Sequence, residues 1–209
     1  MGQSPSIPSE HARLIFSSNS LRNTQIECDA LGLHYQLSTP TEGIKNQRMT
    51  SITRWDPRQE KSVLIAEWER KTFGKDRIRM VSNNNNQLIS EGYKSEDGFV
   101  MVHDLLQRTY GLPGGVRVNR TFTANNGRRY TWKARHTTLK LYEEGSQAPI
   151  AEYGGRHCLI NKRKARISLA PGYDEILDYL VVTCVITERK RRDAKQRQRS
   201  SSGGGGGGD

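Results

Sequence analysis

One stretch near the C-terminus limits the possible folds more than any other. "ILDYLVVTCVI" at 176–186 is almost wholly apolar and runs directly into "TERKRRD". A membrane-spanning helix needs about 20 apolar residues. This run has eleven, Asp178 among them, so it is too short to span. Its β-branched content would suit a strand, but its borders are those of a helix. Pro171-Gly172 precede it, and Asp174 is placed to cap its start. Glu175 and Asp178 fall at the positive end of the helix dipole, and Arg189 to Arg192 at the negative end. Wound as a helix, the apolar positions cover every side, and such a helix must be enclosed by something else.

The preceding chain supplies an enclosure. From Leu14 to Leu169 it consists of short segments that alternate apolar and polar residues, broken by turn signals. Leu33, Tyr35 and Leu37 share one face of "GLHYQLST". In "SVLIAEWER", Leu64, Ala66 and Trp68 share one face and Val63 and Ile65 the other, so both sides are expected to be covered. Pro57 marks a turn before that segment. "RTFTANNGRRYTWKAR" predicts a hairpin turning at Asn126-Gly127, with Tyr130, Trp132 and Ala134 inward and Arg129, Thr131, Lys133 and Arg135 outward. "FVMVHDLLQRTYG" predicts a short strand followed by a short helix near 103–109. The fold expected is all-β, a closed barrel of about twelve strands with a C-terminal helix, about 174–192, threaded through its interior. A single domain over 11–192 would lie between a disordered N-terminus, 1–10, and a disordered basic, glycine-rich tail, 193–209.

The formal net charge is +11. Residues 188–199 hold seven Lys/Arg against two acids, and "NKRKAR" at 161–166 holds four positive charges. Such clusters meet anionic membranes, nucleic acid or acidic proteins, or only keep a chain soluble. Cys28, Cys158 and Cys184 are odd in number and widely spaced, which fits a reducing, cytoplasmic setting and not a disulfide framework. No metal-ligand spacing, glycine cradle or nucleophile–base order is visible, so no cofactor and no enzymatic activity are expected. His103-Asp104 is best explained as the exposed face of the short helix. The first ten residues are too polar for a secretory signal. "MGQSPS" matches the N-myristoylation pattern with Gly2 and Ser6 in place.

Several phrases resemble a fungal (basidiomycete) family known only as domain of unknown function 6593. They include "LIFSSNSLRNTQI", "YQLSTP", "TSITRW", "LIAEWER", "FTANNGRRYTWK", "LKLYEE", "IAEY" and "EILDYLVVTCVITERKRRD", and they span residues 14–193. The resemblance implies no activity. In architecture the expected fold is also similar to the barrels of tubby-like, scramblase and LURP-one-related proteins, which are threaded by a C-terminal helix. Fold alone carries no function.

The function expected is a non-enzymatic, cytoplasmic module that binds anionic phospholipid surfaces. Lys162, Arg163, Lys164, Arg166, Arg189, Lys190, Arg191 and Arg192 are the candidate contacts, and Gly2 is the candidate lipidation site. The alternative is a nucleic-acid-binding or protein-interaction domain, with Arg128, Arg129, Lys133 and Arg135 as a basic strand face. Tyr130 and Trp132 share the inward face of that strand and are not free to stack on bases.

Overall fold

A computed structural model describes residues 12–40, 47–72, 74–81, 97–110, 118–135, 138–155 and 164–202. The strands are β1 (Ala12–Phe16), β2 (Thr24–Cys28), β3 (Leu33–Ser38), β4 (Gln47–Asp56), β5 (Lys61–Lys71), β6 (Arg77–Met80) and β7 (Val100–Met101). A four-residue helix, α1 (Val102–Leu105), leads to β8 (Gln107–Tyr110). Then come β9 (Val118–Thr123), β10 (Arg129–Arg135), β11 (Thr138–Glu143), β12 (Pro149–Gly154) and β13 (Arg166–Leu169). A 3-10 turn at Asp174–Ile176 opens the long helix α2 (Leu177–Ser202).

All thirteen strands form one antiparallel sheet, in the order β7-β6-β5-β4-β3-β2-β1-β13-β12-β11-β10-β9-β8. Neighbours in the sheet are neighbours in sequence, except where β1 pairs β13, with Leu14 opposite Ile167. That pairing joins the two halves of the chain into one surface.

The expected closed barrel is corrected here to an open sheet. β7 and β8 are its two edges, and no ladder joins them among the described residues. The chain between them is spent on α1, and β7 has only two residues with which to pair. The expected helix near 103–109 is corrected as well. Helical geometry ends at Leu105, and Gln107–Tyr110 is a strand paired to β9. Val102, Leu105 and Leu106 do keep the predicted buried spacing. One helical turn is enough to produce it.

The hairpin forms as predicted. Tyr130 and Trp132 are fully buried, and Arg129 and Lys133 are exposed. Of the turn pair only Gly127 takes positive φ, at 75°, so the turn uses one left-handed residue and not two. In β5 a bulge lies opposite Ile52/Thr53, where Ile52 pairs Ala66 and Thr53 pairs Leu64. Ile65 is therefore the extra residue, and the strict alternation expected along this strand breaks there.

The sheet curls around α2. Side chains from both halves of the sheet reach the helix. Tyr35 of β3 and Arg54 of β4 bond Asp178, and Trp132 of β10 bonds Thr183. Arg70 of β5 pairs with Asp193, and Tyr153 of β12 accepts from Arg192. Every residue from Leu180 to Glu188 is buried. A helix apolar on all sides has thus found apolar neighbours on all sides, which accounts for the greasy run.

Asp174 makes no side-chain cap. The helix start is held from the hairpin tip instead. The Asn125 side-chain amide donates to the Glu175 carbonyl at 3.1 Å, and the Asn126 amide donates to the Glu175 carboxylate at 2.8 Å. At its other end α2 runs to Ser202, ten residues past the expected 192, so part of the expected disordered tail is helical. Ala194 to Arg199 are mostly strong helix formers, and they extend a helix already nucleated in the core.

Cys28 and Cys184 are free and buried, and burial pushes the Cys184 thiol well up. Cys158 lies outside the described residues. No helix among the described residues is long and apolar enough to cross a membrane.

Candidate functional site: a cationic collar where the helix leaves the sheet

Where α2 emerges from the sheet, the inward faces of the strands end in arginine. In β4 the face that carries Ile52 and Thr50 ends at Arg48. In β5 the face that carries Ala66 and Trp68 ends at Arg70. The two arginines are cross-strand partners. Like charges directly opposite one another are unfavourable in a sheet. Arg22, from the β1–β2 connection, and Arg189, from α2, join them. Burial lowers the Arg22 pKa, and the nearby charges of Arg48 and Arg189 lower it further. Arg70 is lowered in the same way, first by burial and then by Arg189. Asp193 is the acid that partly offsets this group. It lies 3.1 Å from Arg189 and 3.7 Å from Arg70.

The next turns of the helix carry a second group. Glu188 is only 2% exposed, and it holds both Arg191 at 2.6 Å and Arg192 at 2.7 Å. Arg192 also donates to the Asn19 carbonyl at 2.7 Å and to the Tyr153 hydroxyl at 3.1 Å. Burial works against the Arg192 charge, but its bonds to Glu188 and Tyr153 outweigh that and raise its pKa. Lys190 pairs with Asp76. The bonds from Arg192 to Asn19 and Tyr153 and from Lys190 to Asp76 fix the helix exit to three different parts of the sheet and its loops.

The collar therefore brings together seven cations, Arg22, Arg48, Arg70 and Arg189 to Arg192, with three acids, Asp76, Glu188 and Asp193. Beyond it Lys195, Arg197 and Arg199 are exposed on the projecting helix. The result is a positively charged end of the domain with a helical extension of the same sign.

The candidate residues divide as follows. Arg189, Lys190, Arg191 and Arg192 are all in the collar, but as half-buried members of ion pairs and not as free contacts. Lys164 and Arg166 are exposed. Arg166 pairs Gly154, next to the Tyr153 whose hydroxyl reaches Arg192, so Arg166 approaches the collar end of the sheet. Lys162, Arg163 and Gly2 lie outside the described residues. Of the alternative basic face, Arg128 pairs with Glu143 and Arg129 with Glu144, while Tyr130 and Trp132 are buried. His103 lies 3.3 Å from Asp104, both exposed.

The profile of one family, described as a family of unknown function (DUF6593), matches residues 19–193. The chain belongs to this family. No curated protein and no solved structure matches it. The match to DUF6593 begins at Asn19 and ends at Asp193, so it takes in β2 to β13 and the collar, with β1 outside it. The helical extension of this DUF6593 protein beyond Asp193 lies outside the match.

Sequence reasoning missed Arg22, Arg48 and Arg70 because they come from three separate segments and none lies in either of the two basic clusters. A signal was present for two of them. An arginine that continues an inward-facing alternation by two residues belongs at the rim of the sheet, where its stem can pack inside and its charge can reach water.

Proposed function

We propose that this domain is a non-catalytic binding module for anionic phospholipid surfaces, engaged at the membrane face through the cationic collar and the α2 extension. The observation that carries the reading is the gathering of Arg22, Arg48, Arg70 and Arg189 at one end of the sheet, with Lys195, Arg197 and Arg199 exposed just beyond. The sheet wrapped around a C-terminal helix supports the architectural likeness to tubby-like barrels. A cytoplasmic setting with peripheral attachment fits the free cysteines, and myristoylation at Gly2 would add the second anchor that stable attachment requires. In this reading Arg189 to Arg192 hold the collar together, while Lys195, Arg197, Arg199, Lys164 and Arg166 make the outward contacts.

Each Lys or Arg near an anionic surface contributes about 1 kcal/mol. Replacing Lys195, Arg197 and Arg199 together by glutamine should therefore weaken binding by about a hundredfold. Co-sedimentation with phosphatidylserine-containing and with neutral vesicles measures this. Wild type should pellet with the anionic vesicles, less so as salt rises, and the triple variant should stay in solution. Equal pelleting with both vesicle types, or no effect of the triple variant, contradicts the reading.

A further inference from the structure

A second pair of arginines lies apart from the collar, next to the open seam of the sheet. Arg120 of β9 faces Trp132 of β10 on one side and Arg108 of β8 on the other. Trp132 is wholly buried and bonds α2, so this row of residues is on the inner face of the sheet. Arg120 is 7% exposed. Arg108 sits on an edge strand and is exposed.

Two costs fall on this pair. Cross-strand partners have Cβ atoms about 5 Å apart, and like charges there repel. A buried guanidinium also loses its hydration, which is tolerated only when an anion or hydrogen-bond acceptors replace the water. Burial, helped by Arg108, pushes the Arg120 guanidinium down to about 10. Among the described residues neither arginine has an ion pair or a hydrogen bond. Other buried charges of the protein are treated differently. Glu69 is 1% exposed and lies 2.5 Å from Arg77, and Glu188 holds two arginines.

We propose that Arg120 and Arg108 form a binding site for a single oxyanion of the phosphate class at the seam beside β8. Two guanidinium forks on adjacent strands can donate to different oxygens of one tetrahedral anion. Arg120 supplies the desolvated charge, and Arg108, on the open edge, supplies access. The site is independent of the collar and does not require a membrane.

The full chain is followed by thermal unfolding in chloride buffer while inorganic phosphate, and separately glycerol 3-phosphate, is added at constant ionic strength. The wild-type Tm should rise with phosphate, as expected for a ligand of the folded state. Arg120→Met should abolish the rise, and without phosphate it should be at least as stable as wild type, since a buried unpaired charge is gone. Arg108→Gln should raise the half-saturating concentration about tenfold or more. The triple collar-extension variant should respond like wild type. A response to phosphate alone assigns a free anion, and a response to the ester as well assigns a phosphorylated ligand or headgroup. No response in wild type, or the same response in wild type, R120M and R108Q, overturns the site. If R120M does not fold, R108Q decides the matter, because its side chain is exposed.

Discussion

Replacing Glu188 by alanine should destabilise the protein by about 3–5 kcal/mol, because it leaves two half-buried arginines without their anion. Glu188 is 2% exposed, and its two oxygens hold Arg191 and Arg192. Arg192 in turn ties the helix to Asn19 and Tyr153. For a domain of ordinary stability this is a large fraction of the total. Glu188→Gln keeps the shape and one acceptor and should cost less. Asp193→Ala removes an ion-paired acid one turn further out, where water screens the pairs, and should cost under about 1 kcal/mol. Urea unfolding of the three variants gives the comparison. A Glu188→Ala cost as small as that of Asp193→Ala would mean that the exit of the helix is not enclosed as described.

The second large effect is expected at Trp132. Its indole is fully buried, and its N–H donates to the Thr183 hydroxyl at 3.0 Å, in the second turn of α2. Trp132→Ala opens a cavity between β10 and the helix and should cost about 3–5 kcal/mol. Thr183→Val keeps the volume but removes the acceptor, leaving a buried N–H unpaired, and should cost about 1–3 kcal/mol. The Thr183 hydroxyl also donates to the Leu180 carbonyl at 3.3 Å, so in the alanine variant it keeps a partner. The two variants thus separate packing from hydrogen bonding. Near-equal losses would place most of the Trp132 contribution in the single bond.

Much of the fold could be read from the chain because its signals are local. Period-two alternation placed Tyr130 and Trp132 inward and Arg129 and Lys133 outward, and the structure agrees. The all-round apolar character of 176–186 required an enclosing structure, and the curled sheet provides it. The misses arise where a local pattern had two solutions. Val102, Leu105 and Leu106 suit a helix of any length, and pairing of Gln107–Tyr110 with β9 ended it after one turn. Whether the sheet closes depends on β7 and β8, short edge strands of two and four residues.

The sites were harder to read than the fold. The collar assembles Arg22, Arg48, Arg70 and Arg189 from four separate segments, and only Arg189 lies in a charge run. The run itself turned inward. Arg189 to Arg192, expected as surface contacts at the helix end, are held by Asp76, Glu188 and Asp193, and the outward charge moves to Lys195, Arg197 and Arg199. Arg120 gave no signal at all. An arginine between Asn119 and Thr121 in a strand looks like a solvated charge until the register sets it opposite Trp132.

The central claim is that α2 is the core of the domain and not an appended tail. Native-state hydrogen exchange, resolved by residue, tests it most directly. The amides of Leu180 to Glu188 should open only with the whole protein and share one free energy equal to that of global unfolding, while those of Gln196 to Ser200 should exchange almost freely. Exchange at Leu180 to Glu188 as fast as at Gln196 to Ser200, with the strands still protected, would contradict it.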